Sequence, residues 1–471
     1  MHAPHFRIIE LALAERPVQL RLPFRFGAAT LRECPQAFAF ARIELSDGRS
    51  AEGCAAELMV PKWFDKNPAL SNEQDVEQLR QSLRDVAAAY RSDTTPRTAW
   101  GYFEAHCANL LAAGARAGQQ ALVTNYGGAL IDRALIDALC RLFEAPFAAA
   151  LRANLLGIRP GVLAPDLRGF DIGAFLADLA PQNSIAARHT VGLLDAIRDA
   201  DAPADAPHDG LPISLEGAIT RYGHDHFKLK LSGQTDADLA RLTQIASVLD
   251  RRAARITLDG NEQYTELAAF ADFHERFTAA PTLRTLAARV AFVEQPLKRD
   301  RSLESDVHAL ARRVPLLIDE ADTTLDAFVT ARSLGYRGVS SKSCKGIYKS
   351  IVNAARAAQW NARAPADRCF LSGEDLTMQA GIAVQQDLAL VTMLGLPDVE
   401  RNGHHYVDGM SALSSAEQQA FLTGHPDLYE RSHGAVRLSI RAGRVALGSL
   451  LATPGFASAA RPDRTSLTPI T

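Results

Sequence analysis

Phe227-Lys228-Leu229-Lys230-Leu231-Ser232-Gly233 alternates bulky apolar residues with lysine and closes on glycine. In an extended chain, residues two apart share a face. Lys228 and Lys230 therefore point together, and Phe227, Leu229 and Leu231 point the other way. Similar short runs recur downstream: TVGLLDAI (190–197), ARITLDGNEQ (254–263), VAFVEQPL (290–297), VPLLIDEAD (314–322), GVSSKSC (338–344) and CFLSGED (369–375). Amphipathic stretches such as LDAFVTARSLG (325–335) separate them. Strand–helix alternation implies a parallel sheet. Seven or eight units of about 25 to 35 residues imply a (β/α) barrel rather than an open sheet.

These runs are apolar at the start and carry an acid, amide or base at the end. After the two lysines come Asp259 and Asn261, then Glu294, Asp319, Lys342 and Glu374. In such barrels the C-terminal strand ends form the active-site rim. Solvating charges would fall on the outer helices instead. Asp259, Glu294 and Asp319 are hard oxygen donors on neighbouring strands, with no Cys or His at those strand ends. That set suits Mg²⁺ better than Zn²⁺. The competing account, buried ion pairs with the lysines, is costly to assemble. Lys230 and Lys342, on the second and sixth strands, face each other across the barrel axis. A lysine acts as a base only when neutral, and a neighbouring cation lowers its pKa. On this reading Lys228 tunes Lys230.

The rest of the chain sets the frame. With 471 residues, two or three domains are expected. Charged residues make up 22%, hydrophobic ones 47%, and the net charge is -3. There is no basic stripe with interleaved aromatics, so no nucleic-acid partner is expected. The N-terminus reads as no signal peptide, and no window has the length of a membrane span. Six scattered Cys without a CxxC pair fit reduced thiols in the cytoplasm. Residues 6 to about 60 alternate as strands (FRIIELALA, VQLRLPFRF, FAFARIELSDG), with a turn at Ser46-Asp47-Gly48. Ser71-x-x-Gln74 is a capping box opening a helix, and GALIDRALIDALCRLFEAPFAAAL (128–151) reads as buried helix. Residues 157–187, rich in Gly and Pro, read as a loop-like insertion or linker.

Taken together, KLK (228–230), LDGN (258–261), VEQP (293–296), IDEA (318–321) and SKSCKG (341–346) resemble the enolase superfamily, in its muconate lactonizing enzyme subgroup (mandelate racemase/muconate lactonizing enzyme-like). The motifs stand in the family's order and at its strand spacing. The resemblance implies an α/β fold, a modified TIM barrel with an N-terminal α+β capping domain completed by the C-terminal segment. The boundaries are 1–156 for the cap, 157–187 for the insertion, 188–412 for the barrel, 413–460 for the returning segment and 461–471 for a tail. It makes Asp259, Glu294 and Asp319 the Mg²⁺ ligands, Lys230 and Lys342 the acid/base pair, and Lys228 their auxiliary. Asn261, Glu320, Lys345, Glu374 and Asp375 are expected around the ligands or at the substrate. The family's dipeptide epimerases carry Asp-x-Asp at the eighth strand. VERNGHHYVDG (399–409) shows no such pair. Specificity is expected from cap loops near 25–34 and 54–67, including Val60-Pro61-Lys62-Trp63.

The implied chemistry is removal of a proton α to the carboxylate of a small substrate, giving an enediolate. The superfamily's lysine base and Mg²⁺ are themselves among the known patterns of such sites. Two opposed lysines favour racemisation or epimerisation. β-Elimination (an acid-sugar dehydratase or o-succinylbenzoate synthase-like lyase), cycloisomerisation and a non-catalytic carboxylate-binding role remain open, as does a homo-oligomer. His224 and His226 lie toward the opposite end of the barrel from Lys230 and are read as no metal pair. His404 and His405, adjacent in a strand, are read as structural.

Overall fold

The structure is a computed structural model and describes residues 3–26, 29–250, 254–376 and 378–471. Three strands, β1 (Phe6–Phe26), β2 (Ala29–Leu45) and β3 (Ser50–Leu58), form an antiparallel meander. Its turn at Gly48 has φ +84°, where glycine carries no steric penalty. Helix α1 (Asn72–Ser92) starts with both hydrogen bonds of the Ser71/Gln74 capping box. Helices α2 (Ala99–Arg116) and α3 (Ala121–Leu142) complete the layer, and α3 is buried along nearly its whole length. It lies against β3 so closely that a Cβ on Gly53 would sit 2.1 Å from the Ala138 nitrogen.

Eight parallel strands follow: β4 (Ser184–Val191), β5 (His226–Lys230), β6 (Arg255–Asp259), β7 (Val290–Glu294), β8 (Leu316–Ile318), β9 (Gly338–Ser341), β10 (Phe370–Gly373) and β11 (Asp398–Arg401). Each pairs with the next, and β11 pairs with β4 to close the barrel. Phe227, Leu229, Ile256, Leu258, Val293 and Val339 belong to one apolar core of the barrel. A second core runs from the cap sheet through α3 to Ile347 and Leu388 of the barrel, so cap and barrel share packing. The C-terminal segment forms a hairpin, β12 (Tyr429–Ser432) with β13 (Ala435–Leu438), and adds β14 (Arg444–Ala446) antiparallel to β4. The last strand, β15 (Thr468–Pro469), pairs with β1 at the cap's edge. Among the described residues no helix is long and apolar enough to cross a membrane.

Two expectations are corrected. The first barrel strand is 184–191, not 190–197, and takes in residues placed in the insertion. Its inward residues are Arg188 and Thr190, so the polar signal in SIAARHTV hides the strand. The stretch before it is not a bare loop. Leu167 and Leu176 are buried in a short turn and the helix Ile172–Ala177, and Asp166 pairs with Arg356 at 2.9 Å. Of the cap loop expected near 25–34, residues 27–28 lie outside the described residues.

Candidate active site

The strand ends bring the expected side chains together. Lys230 Nζ lies 2.6 Å from Asp259 Oδ2, and Lys342 Nζ lies 2.6 Å from Asp319 Oδ2. Glu294, on the strand between those two acids, lies at the centre. Lys228 reaches four carboxylates: Asp259 at 2.9 Å, Glu294 at 2.8 Å, Glu374 at 2.8 Å and Glu400 at 3.0 Å. The repulsion expected between Lys228 and Lys230 is offset because both ammonium groups share Asp259 Oδ2.

Burial and charge act against each other here. Burial pushes the Lys228 pKa down, but its four carboxylates push harder, and the net is well above the usual value. Burial likewise opposes Asp319 on Lys342, and the net is again raised, which corrects the expectation that a neighbouring cation lowers the pKa of a lysine base here. Burial raises the Asp319 and Asp259 carboxyls, but the lysines beside them bring both below the ordinary range. Glu294 goes the other way. Burial, then Asp259 and Glu374, hold it well above the usual carboxylate value. Its Oε2 is buried without a hydrogen bond of good geometry. The set thus brings three hard oxygen donors together on adjacent strands, the middle one crowded by its acidic neighbours, a combination that fits Mg²⁺.

The surrounding residues have definite partners. Asn261 donates its backbone N–H to Asp259 Oδ1 (2.8 Å) and its amide to Glu320 Oε1 (2.9 Å), while its Oδ1 accepts from Lys230 (3.2 Å). It does so at φ +46°, a region that asparagine tolerates better than most residues. Lys345 points under Asp319, donating to Ser340 Oγ (2.6 Å) and pairing with Asp322 (2.9 Å). Glu374 bridges Lys228 and Arg188. Asp375 pairs with Arg401 at 3.1 Å and accepts the Asn402 N–H.

Sequence reading missed several of these. Glu400 sits inside β11, which opens on Asp398, so the strand carries Asp398-Val399-Glu400, an Asp-x-Glu and not the Asp-x-Asp of the dipeptide epimerases. Asp398 turns down to Arg188 and Arg255, and only Glu400 reaches the lysines. Arg188 was hidden in the misplaced first strand. The cap supplies Trp63, whose ring lies 4.5 Å from Lys342 Nζ. It also supplies Lys66, which contacts Glu262 and lies 3.5 Å from Glu320. Arg299 holds this loop down, donating to the carbonyls of Trp63 and Phe64 at 2.9 Å each while pairing with Glu262. The only signal for Trp63 was its position in the cap loop.

The family described as enolase C-terminal domain-like matches residues 213–455. No curated protein matches the chain. Solved structures do. The 2-chloromuconate cycloisomerase of Rhodococcus opacus 1CP is 17% identical, covers 98% of each chain and has a TM-score of 0.56. The muconate lactonizing enzyme of Pseudomonas fluorescens is 16% identical over 99% of this chain and 98% of its own, with a TM-score of 0.58. A mandelate racemase/muconate lactonizing protein from Herpetosiphon aurantiacus is 14% identical over 97% and 99%, also at 0.58. With the barrel, the antiparallel cap and the matched family in agreement, this chain belongs to the enolase superfamily, in its mandelate racemase/muconate lactonizing enzyme group.

Proposed function

We propose that the protein removes the proton α to a carboxylate of a small substrate and returns one to the opposite face, as a racemase or epimerase. The observation that carries this is the placement of Lys230 and Lys342 on separate outer acids, each at 2.6 Å, with Glu294 on the strand between. Asp259, Glu294 and Asp319 would hold Mg²⁺. Bound there, the ion supplies positive charge for the enediolate that proton removal creates. One lysine takes the α-proton as a neutral amine, and the other, as an ammonium, donates to the far face. Proton count is conserved over the cycle. Trp63 and the Lys66 loop shield this exchange from water. Lys228 and Lys345 keep the acids in place. The setting we propose is cytoplasmic, with no nucleic-acid or membrane partner.

Purified protein with Mg²⁺ in D₂O, given N-acyl amino acids, amino acids, dipeptides, sugar acids and lactones, tests this by proton NMR and mass spectrometry. Deuterium should enter the α position and the opposite stereoisomer should appear. Lys230→Ala and Lys342→Ala should each lower the rate about 10² to 10⁴-fold. Exchange coupled to loss of water or another β-group would replace this reading with elimination, and ring closure or opening would replace it with cycloisomerisation.

A further inference from the structure

The barrel is closed by β11 pairing with β4, and just outside that seam three histidines converge. His189 lies on the outer face of β4. His224 lies two residues before the start of β5. His404 stands in the helical turn Gly403–Tyr406 after β11, not in a strand. Among the described residues this is the one group of three potential ligands whose donor atoms all lie within 4.8 Å of one another. His189 Nδ1 and His224 Nε2 both face His404 Nε2, at 3.0 and 3.1 Å. In a tetrahedral zinc site, Zn–N distances of 2.0–2.1 Å put ligand nitrogens about 3.4 Å apart.

Hydrogen bonding alone leaves the group frustrated. His224 Nδ1 faces the Ala187 carbonyl oxygen at 3.0 Å and so carries the proton, leaving a lone pair on Nε2. His404 Nε2 can offer one proton to two neighbours. Its Nδ1 is buried with no hydrogen-bond partner, as is Nδ1 of the adjacent His405. Burial, then the neighbouring imidazoles, hold His189 and His404 well below the usual histidine pKa. Burial brings His224 to about 4. The His224 contact with a backbone carbonyl is also the outer-sphere bond that orients metal-binding histidines. The turn itself is fixed in place, since a Cβ on Gly403 would lie 1.9 Å from the Met378 carbonyl oxygen. A cavity of about 30 Å³ borders His404, with Tyr222, Asp375 and Arg437 on its wall, and has room for a water. Arg401 beside it is matched by Asp375 and Asp387.

We propose that His189, His224 and His404 form a second, structural metal site that takes a first-row transition ion of the Zn²⁺ class and clips the barrel seam. Water completes the coordination. Imidazole donors select such ions over Mg²⁺, which prefers oxygen, so the two sites sort their metals by donor type.

Full-length protein, stripped with chelator and reloaded with Zn²⁺ under a large excess of Mg²⁺, should retain one zinc per chain by elemental mass spectrometry. Asp259→Asn should keep that zinc, and His189→Gln and His404→Gln should lose it. The thermal midpoint should rise with zinc in wild type and Asp259→Asn, but not in the histidine variants. If those variants fail to fold, X-ray absorption on wild type loaded with zinc decides, because imidazole and all-oxygen ligation scatter differently. No retained zinc, retention unchanged in both histidine variants, or an all-oxygen shell would overturn the proposal.

Discussion

Asp259 Oδ2 accepts from two ammonium groups at once, and Lys228 serves four acids at once. Removing such a hub leaves uncompensated charge in a dry interior. Lys228→Met should therefore cost about 3–5 kcal/mol, read as a lowered urea midpoint, with Mg²⁺ restoring part of it. Asp132 on α3 gives a pH signature. Burial pushes its carboxyl up to about 8 against the pull of the Tyr90 hydroxyl, from an ordinary value of 3.8. Between those values the folded protein holds a proton that the unfolded chain has lost. Stability therefore falls as pH rises from about 4 to about 8, by an amount on the order of a few kcal/mol. Asp132→Asn should flatten that slope and melt higher than wild type at pH 8.5, with the difference vanishing near pH 4. At this scale the sequence spoke clearly wherever a side chain stood alone at the end of an apolar run, as at Asp259, Glu294, Asp319 and Lys342. It was silent about Glu400, whose strand is only four residues long and polar on its inner face.

Among the elements, α3 is buried along nearly its whole length. Gly53→Ala drives a methyl into the α3 backbone and should cost about 1–3 kcal/mol or more, measured as a shift in the denaturant midpoint at unchanged slope. Helix α1 was legible from its capping box and the helical spacing of apolar residues after it, because that motif is local and satisfies its own backbone groups. β4 was not, because Arg188 and Thr190 face the barrel interior and break the apolar pattern that marked the later strands. Alternation reports burial against apolar neighbours, so a strand whose buried face is ionic looks like a loop. The same blindness applied to His189, His224 and His404. They are 35 and 180 residues apart along the chain, and only closure of the barrel unites them.

Across the whole molecule, the cap is tied to the barrel by a few polar contacts laid over a shared apolar core. Arg299 grips both Glu262 and the backbone of Trp63 and Phe64. A lysine ammonium is a compact point charge and lacks the planar fork with which the guanidinium reaches Glu262 and both carbonyls. Arg299→Lys should leave the fold's melting temperature nearly unchanged but lower kcat/KM by about ten- to a hundredfold, through a misplaced Trp63. The barrel and the meander were readable as classes from periodicity. Their docking was not, because it rests on contacts between residues about 195 or more positions apart, as between Lys66 and Asn261 or Arg299 and Trp63.

The Trp63 lid over Lys342, whose side chain is only 4% exposed, has an isotopic consequence. An ammonium sealed from water keeps the hydrogen it has just taken, as one of three. Some of those hydrogens should return to the carbon they came from before the lid opens. In deuterated solvent, substrate recovered at partial conversion should then carry less label than product, a memory of the starting hydrogen that loosening the lid would erase.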